Sequence, residues 1–157
     1  MKLSKKEFIA VINNTPLVSI DIIIRDSDDR ILMGFRTNEP AKNYWFVPGG
    51  RILKNESNKD AFERIVEKEL GHKFKFEEAK LLNAYNHFYE TNFANAPNVE
   101  THYVVLAYEL FATGEQINAL VNSPDEQHTD LDWISIHDLE NKSVHHYSKA
   151  YFEKPSR

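Results

Sequence analysis

Gly50-Arg51-Ile52-Leu53-Lys54-Asn55-Glu56 opens the stretch of this 157-residue chain that decides its fold, and Arg64-Ile65-Val66-Glu67-Lys68-Glu69-Leu70-Gly71 closes it. Between the two, Ala61, Phe62, Ile65, Val66 and Leu70 recur at helical spacing. This pattern predicts an amphipathic helix over Asn58–Leu70, with Gly71 as its C-terminal stop. Just before the stretch, Tyr44–Val47 reads as a short strand that ends at Pro48-Gly49-Gly50, and Arg51–Leu53 extends the sheet beyond the glycines. Positions 65, 68 and 69 are neighbours on one helix face. Carboxylates at all of them would gather several divalent cations. Here Ile65 and Lys68 leave Glu69 alone, a set that suits a single hard cation completed by water and phosphate oxygens.

Working outward, Ser4-Lys5-Lys6-Glu7 has capping-box spacing and starts a helix that ends near Pro16. Leu17–Ile24 and Arg30–Arg36 read as a β-hairpin around Ser27-Asp28-Asp29. Leu81–Tyr89 and Thr101–Phe111 read as a second hairpin, whose loop holds Asn92, Asn95, Pro97 and Asn98. A short helix over Gly114–Val121, a polar loop over Ser123–Thr129 and a last strand over Leu131–Ser135 follow. From Ile136 the chain reads as two helical pieces, and Tyr151–Arg157 as a fraying tail. Trp45 reads as a core residue. Strands interleaved with a few helices indicate helices packed on a mixed sheet.

Composition narrows the function classes. The net charge of −5 argues against a nucleic-acid partner, which calls for a basic face. The longest apolar runs are too short for a membrane span. The N-terminus lacks the apolar core of a signal peptide, and the cysteine count is zero, so disulfides and thiol chemistry are excluded. A cytoplasmic location is the expectation.

Gly50, Glu56, Arg64, Glu69 and Gly71 resemble the Nudix box, with Ile65 and Lys68 in place of its other helix glutamates. The wider runs Thr15-Pro16-Leu17-Val18-Ser19, Arg36-Thr37-Asn38, Tyr44-Trp45-Phe46-Val47-Pro48-Gly49-Gly50-Arg51, Thr101-His102-Tyr103-Val104-Val105-Leu106 and Pro124-Asp125-Glu126-Gln127-His128 look like the GDP-mannose mannosyl hydrolase subfamily of Nudix enzymes. The resemblance implies an α/β (α+β) fold, a Nudix-type α/β/α sandwich with a mixed sheet. It implies one domain over residues 1–157, with 1–15 a helical arm at a homodimer interface. The implied activity is hydrolysis of GDP-mannose, or of GDP-glucose, to GDP and free sugar, by inverting attack of water at the anomeric carbon. A conventional Nudix pyrophosphohydrolase, attacking phosphorus, and a silent nucleotide-sugar-binding module are the alternatives.

The resemblance also assigns residues. One Mg²⁺ per subunit, with Mn²⁺ as a substitute, is held by Glu69, the Gly49 backbone carbonyl and Gln127. Glu56 and Arg64 pair to brace the loop against the helix, since an Arg–carboxylate fork fixes geometry. His128 is the general base, because imidazole titrates near neutrality; its other reading is a solvated loop histidine. Arg36 and Arg51 hold the diphosphate, or else are surface charges. Asp21 is a carboxylate in an isoleucine-rich strand and needs a partner if buried. By the resemblance it contacts substrate or orients catalytic groups; its other reading is a core salt bridge. Tyr103 and His87 contact substrate or satisfy core hydrogen bonds. Glu7 and Phe8 belong to the arm, where Phe8 stacks on guanine or anchors its own helix.

Overall fold

The computed structural model describes residues 2–121 and 131–153. Its elements are α1 (Lys5–Asn14), β1 (Leu17–Arg25), β2 (Arg30–Phe35), β3 (Trp45–Phe46), β4 (Gly49–Arg51), α2 (Asn58–Leu70), β5 (Lys80–Tyr89), β6 (Thr101–Phe111), α3 (Gly114–Val121), β7 (Leu131–Ser135) and α4 (His146–Lys149). Single 3₁₀ turns lie at Phe76–Glu78, Ile136–Asp138 and Ala150–Phe152. Among the described residues no helix is long and apolar enough to cross a membrane.

The sheet runs β3-β2-β1-β6-β5, with β4 also paired to β1 and β7 to β2. The β1–β6 pair is parallel and the others are antiparallel, so the fold is the mixed α/β sandwich. One detail creates the site. β1 shares one edge between two partners: Ser19, Ile20 and Asp21 pair with Arg51, Gly50 and Gly49, whereas β2 is reached only at Arg25, opposite Ile31. The sheet therefore splits beside Asp21, where Ile22 N–H donates to the Pro48 carbonyl at 2.8 Å.

Strand alternation sorts β1 onto two cores. Ile20, Ile22 and Ile24 face α2 and pack with Phe62, Ile65, Val66 and Leu70. Ile23 faces the other way and joins Ile31, Met33, Phe46, Val47, Ile134, Leu139, Val144 and Tyr151. Fully burying each large apolar side chain contributes roughly 1.5–3 kcal/mol. α2 is held at both ends: the Ser57 hydroxyl accepts from Asp60 N–H, and Gly71 closes the helix at φ 64°. That left-handed value favours glycine.

Three readings of the sequence need correction. The glycine pair does not interrupt the sheet ahead of a strand over Arg51–Leu53 but itself forms a strand with Arg51, as β4. Trp45 is half-buried, because β3 lies at the sheet's edge, and its ring packs edge-on to Phe35 at 5.4 Å. The C-terminal portion does form two short helical stretches, at 136–138 and 146–152, but its tail does not fray from Tyr151. Tyr151, in the second stretch, is buried in the second core. Apolar packing and a polar anchor hold it there, which helix periodicity does not register.

Candidate active site

A cleft of about 100 Å³ opens at the split in the sheet. Ser19 and Asp21 from β1, Tyr103 and Val105 from β6, and His87 and Tyr89 from β5 line one wall. The parallel register sets Ser19 opposite Val105 and Asp21 opposite Ala107, while β5 sets His87 opposite Tyr103. Gly49, Gly50 and Arg51 of β4 form another wall, with Arg36 and Phe46.

Asp21, 8% exposed, is the chemical centre of the cleft. Its Oδ2 accepts from the Tyr151 hydroxyl at 2.5 Å. Its Oδ1 lies against Gly49, where an added Cβ would come within 2.5 Å of that oxygen and 2.6 Å of the Ile20 carbonyl. Glycine at 49 is thus a condition for seating the carboxyl. Burial pushes the Asp21 carboxyl up to about 7, against the pull of the Tyr151 hydrogen bond and of the Arg36 charge. A buried carboxyl titrating near neutrality has the character of a working group.

The basic and aromatic groups converge on it. Burial raises the Tyr103 phenol, while the charges of Arg36 and Arg51 pull it down. The Arg36 guanidinium lies 5.9 Å from the Phe46 ring centroid. His87 stacks face to face on Tyr147 at 4.1 Å, and its Nε2 is 3.4 Å from the Tyr151 hydroxyl. Burial, then the charges of His145 and His146, push His87 down to about 4, so it is neutral at physiological pH. Cleft-lining Arg51 also lies 4.3 Å from the ring centroid of Phe8 in α1 of the same chain, and Phe8 packs on Phe93 at 5.0 Å. Glu7, by contrast, has its carboxylate occupied by the helix cap, accepting from Ser4 N–H at 2.8 Å.

On the other side of β4, Arg64 reaches Glu56 through Nε at 2.6 Å and a second nitrogen at 3.0 Å. The same guanidinium donates to the Arg51 carbonyl at 2.8 Å, and Glu56 accepts from Leu53 N–H at 2.9 Å. This fork ties the loop after β4 to α2, and the Arg64 bond holds the Glu56 carboxyl below its ordinary range. Ile65, 1% exposed, sits against Gly50: a Cβ on Gly50 would lie 3.1 Å from its Cγ1. Glu69 is half-buried on α2 and Lys68 exposed. Among the described residues no group of three His, Cys, Asp or Glu side chains is placed to hold a metal ion. Gln127 and His128 lie outside the described residues.

Sequence reading singled out Asp21, Arg36, Gly49, Arg51, His87 and Tyr103, and the fold brings them into one cleft. It missed Tyr89, Tyr147 and Tyr151. For Tyr147 and Tyr151 the available signal was the run His145-His146-Tyr147-Ser148-Lys149-Ala150-Tyr151, dense in imidazole and phenol.

A split mixed sheet, a glycine-bearing strand and a braced helix beside a charged cleft define a Nudix hydrolase fold. The NUDIX domain family matches residues 15–154, and the chain belongs to that family, whose hydrolases generally use a divalent metal such as Mg²⁺. Among curated proteins, the low-salt glycan biosynthesis protein Agl8 of Haloferax volcanii is 34% identical over 147 residues, 94% of this chain and 86% of that protein. Among solved structures, a MutT NUDIX hydrolase from Burkholderia pseudomallei is similar with a TM-score of 0.68 and 27% identity, over 91% of this chain and 100% of that one. The NUDIX domain of Shewanella oneidensis NrtR, solved with ADP ribose, shares the fold with a TM-score of 0.62 and 16% identity, over 95% of this chain and 94% of that one.

Proposed function

We propose that the chain hydrolyses the glycosyl bond of a GDP-sugar, with GDP-mannose as the first substrate to test and GDP-glucose as the second. The observation that carries this reading is Ile65. An apolar side chain, buried in the core, stands against Gly50 where a box carboxylate would otherwise serve a metal. With Lys68 exposed beside it, α2 retains a reduced acidic set. Such a set supports holding a diphosphate better than activating water for attack at phosphorus. The similarity to a glycan biosynthesis protein supports a sugar-bearing nucleotide as substrate.

The donor set fits one hard divalent cation. Glu69, the Gly49 carbonyl and Gln127 would hold it, each through oxygen, leaving room for substrate phosphate. Such an ion, when bound, neutralises charge on the departing diphosphate. Arg36 and Arg51 hold diphosphate oxygens through their planar forks. Tyr103 donates a hydrogen bond to the same group, and neutral His87 accepts one from a substrate hydroxyl. Asp21 holds a hydroxyl or water in line. His128 takes the proton from the attacking water on the face opposite the leaving group, as inversion demands. Phe8, in contact with Arg51, flanks the nucleotide end of the cleft. A homodimer and a cytoplasmic setting belong to the same reading.

Turnover of GDP-mannose with Mg²⁺ in ¹⁸O-enriched water tests it. The expected products are GDP without label and mannose carrying the heavy oxygen. Label in GMP or in a sugar phosphate would establish attack at phosphorus instead.

A further inference from the structure

We propose that Tyr151 is a positioning residue of the cleft: its phenol holds Oδ2 of Asp21 from beneath, so that Oδ1 stays against Gly49 on the substrate side. The inference rests on reading the cleft as the substrate site.

The two oxygens of Asp21 have different surroundings. Oδ2 accepts from Tyr151, a side chain brought from 130 residues away, and this is a contact between buried groups. Oδ1 faces the bare backbone of Gly49, in the wall of the cleft. Tyr151 itself is not among the residues lining the cleft, so it acts on the cleft through Asp21. Packing does not call for its hydroxyl. The Tyr151 ring sits edge-on to Tyr85 at 4.9 Å within an apolar cluster, where phenylalanine would serve equally well. A buried hydroxyl costs free energy unless it is paired. Here its proton is committed to Asp21, which leaves the phenol oxygen to accept from His87 Nε2–H at 3.4 Å. That relation selects the His87 tautomer with Nδ1 bare, a hydrogen-bond acceptor. The parallel stack on Tyr147 holds the ring in that plane, and Tyr147 is fixed in turn by two hydrogen bonds to the Phe88 backbone, at 2.8 and 2.9 Å. His87, Tyr151 and Asp21 thus form a relay from β5 through the C-terminal turn to β1, ending in one oriented carboxyl oxygen.

Tyr151→Phe removes the hydroxyl and keeps the ring. The variant is expected to fold, with a melting curve of wild-type cooperativity. Its kcat on GDP-mannose with Mg²⁺ should fall about tenfold, the scale of one lost buried hydrogen bond, with KM little changed. In an Asp21→Asn background the same substitution should add nothing. Independent losses that multiply in the double variant, or an unchanged kcat, would overturn the proposal. A second readout does not depend on the substrate. In protein labelled with ¹³C at aspartate carboxyls, the Asp21 resonance should move in Tyr151→Phe at fixed pH while the other aspartates stay. An unmoved resonance defeats the proposal even if the wild type turns over GDP-mannose. A moved resonance without any GDP-mannose turnover sustains the positioning role and defeats the substrate reading instead.

Discussion

α2 and the segment from Ser143 to Phe152 serve the same cleft from opposite faces of β1, and they are built in opposite ways. α2 follows local instructions: a Ser57 cap, an apolar stripe, a Gly71 stop and an Arg64–Glu56 fork reaching eight residues back. The C-terminal segment has one four-residue helix and is held by tertiary anchors. Val47 N–H donates to the buried Ser148 hydroxyl at 3.2 Å, and Tyr151 donates to Asp21. Trp45 exchanges backbone hydrogen bonds with it as well, donating to the Ser143 carbonyl and accepting from His145 N–H. The difference teaches that the helix brings its geometry to the site, whereas the segment acquires geometry from it. Disturbing α2 should therefore alter function without unravelling the helix. Disturbing the segment should loosen the cleft floor.

The largest expected effect tests the helix side. Glu69→Gln should lower Mg²⁺-dependent turnover on the order of 10²–10³-fold, the scale of losing a principal charge-stabilising group, with circular dichroism and melting almost unchanged. A variant that keeps its rate over a Mg²⁺ titration would remove α2 from the chemistry and break the comparison.

Asp21→Asn tests the seam between the two regions, and the sign is unusual. Burial pushes the folded-state carboxyl up to about 7, above its ordinary value of 3.8. Its contribution to stability is therefore complete below about pH 4 and is lost as pH rises through 7. The amide escapes that loss. Asp21→Asn should melt higher than wild type above pH 7, by an advantage of up to ~4 kcal/mol, and the gap should close between pH 7 and 4. His87 and His145 have depressed folded-state values, so they lose stability on acidification through about 4. They do so in both proteins and cancel in the difference. A gap that widens on acidification would contradict the assignment.

Gly49→Ala tests the seating of the carboxyl directly. Its Cβ would meet a backbone carbonyl as well as Asp21, so neither can yield cheaply. A loss of about 1–3 kcal/mol in urea unfolding is expected. Gly50→Ala should cost less, because its tightest neighbour is the Ile65 side chain at 3.1 Å. Equal costs would mean that Asp21 is free to move aside.

The smallest effect belongs to Tyr147→Phe. It removes both hydrogen bonds to the Phe88 backbone but keeps the stack on His87. About 1 kcal/mol of stability should be lost, with faster amide exchange at Phe88. Protection unchanged at Phe88 would show that the segment is held by its apolar contacts alone.

How much was legible follows from the same contrast. The α2 boundaries, the cap at Ser4 and the long β5–β6 hairpin were readable, because each is specified by residues close in sequence. The resemblance to the GDP-mannose mannosyl hydrolase subfamily, carried by runs outside the box, added the list Asp21, Arg36, Gly49, Arg51, His87 and Tyr103. It did not place glycines 49 and 50 inside a strand, since glycine is weak in strands and β4 exists by pairing with β1. Nor did it find Tyr151, whose partner lies 130 residues upstream.

The sequence by itself determined the family, the amphipathic helix and the loss of two box carboxylates to Ile65 and Lys68, since these depend on residue identity at fixed short spacing. Only the tertiary structure decided that β1 divides its edge between β4 and β2, that Ile65 fills the space beside Gly50, and that Asp21 is turned by a tyrosine near the far end of the chain. The physical reason is that a buried polar group must be satisfied by whatever the fold brings within hydrogen-bonding reach, and distance along the chain places no limit on that choice.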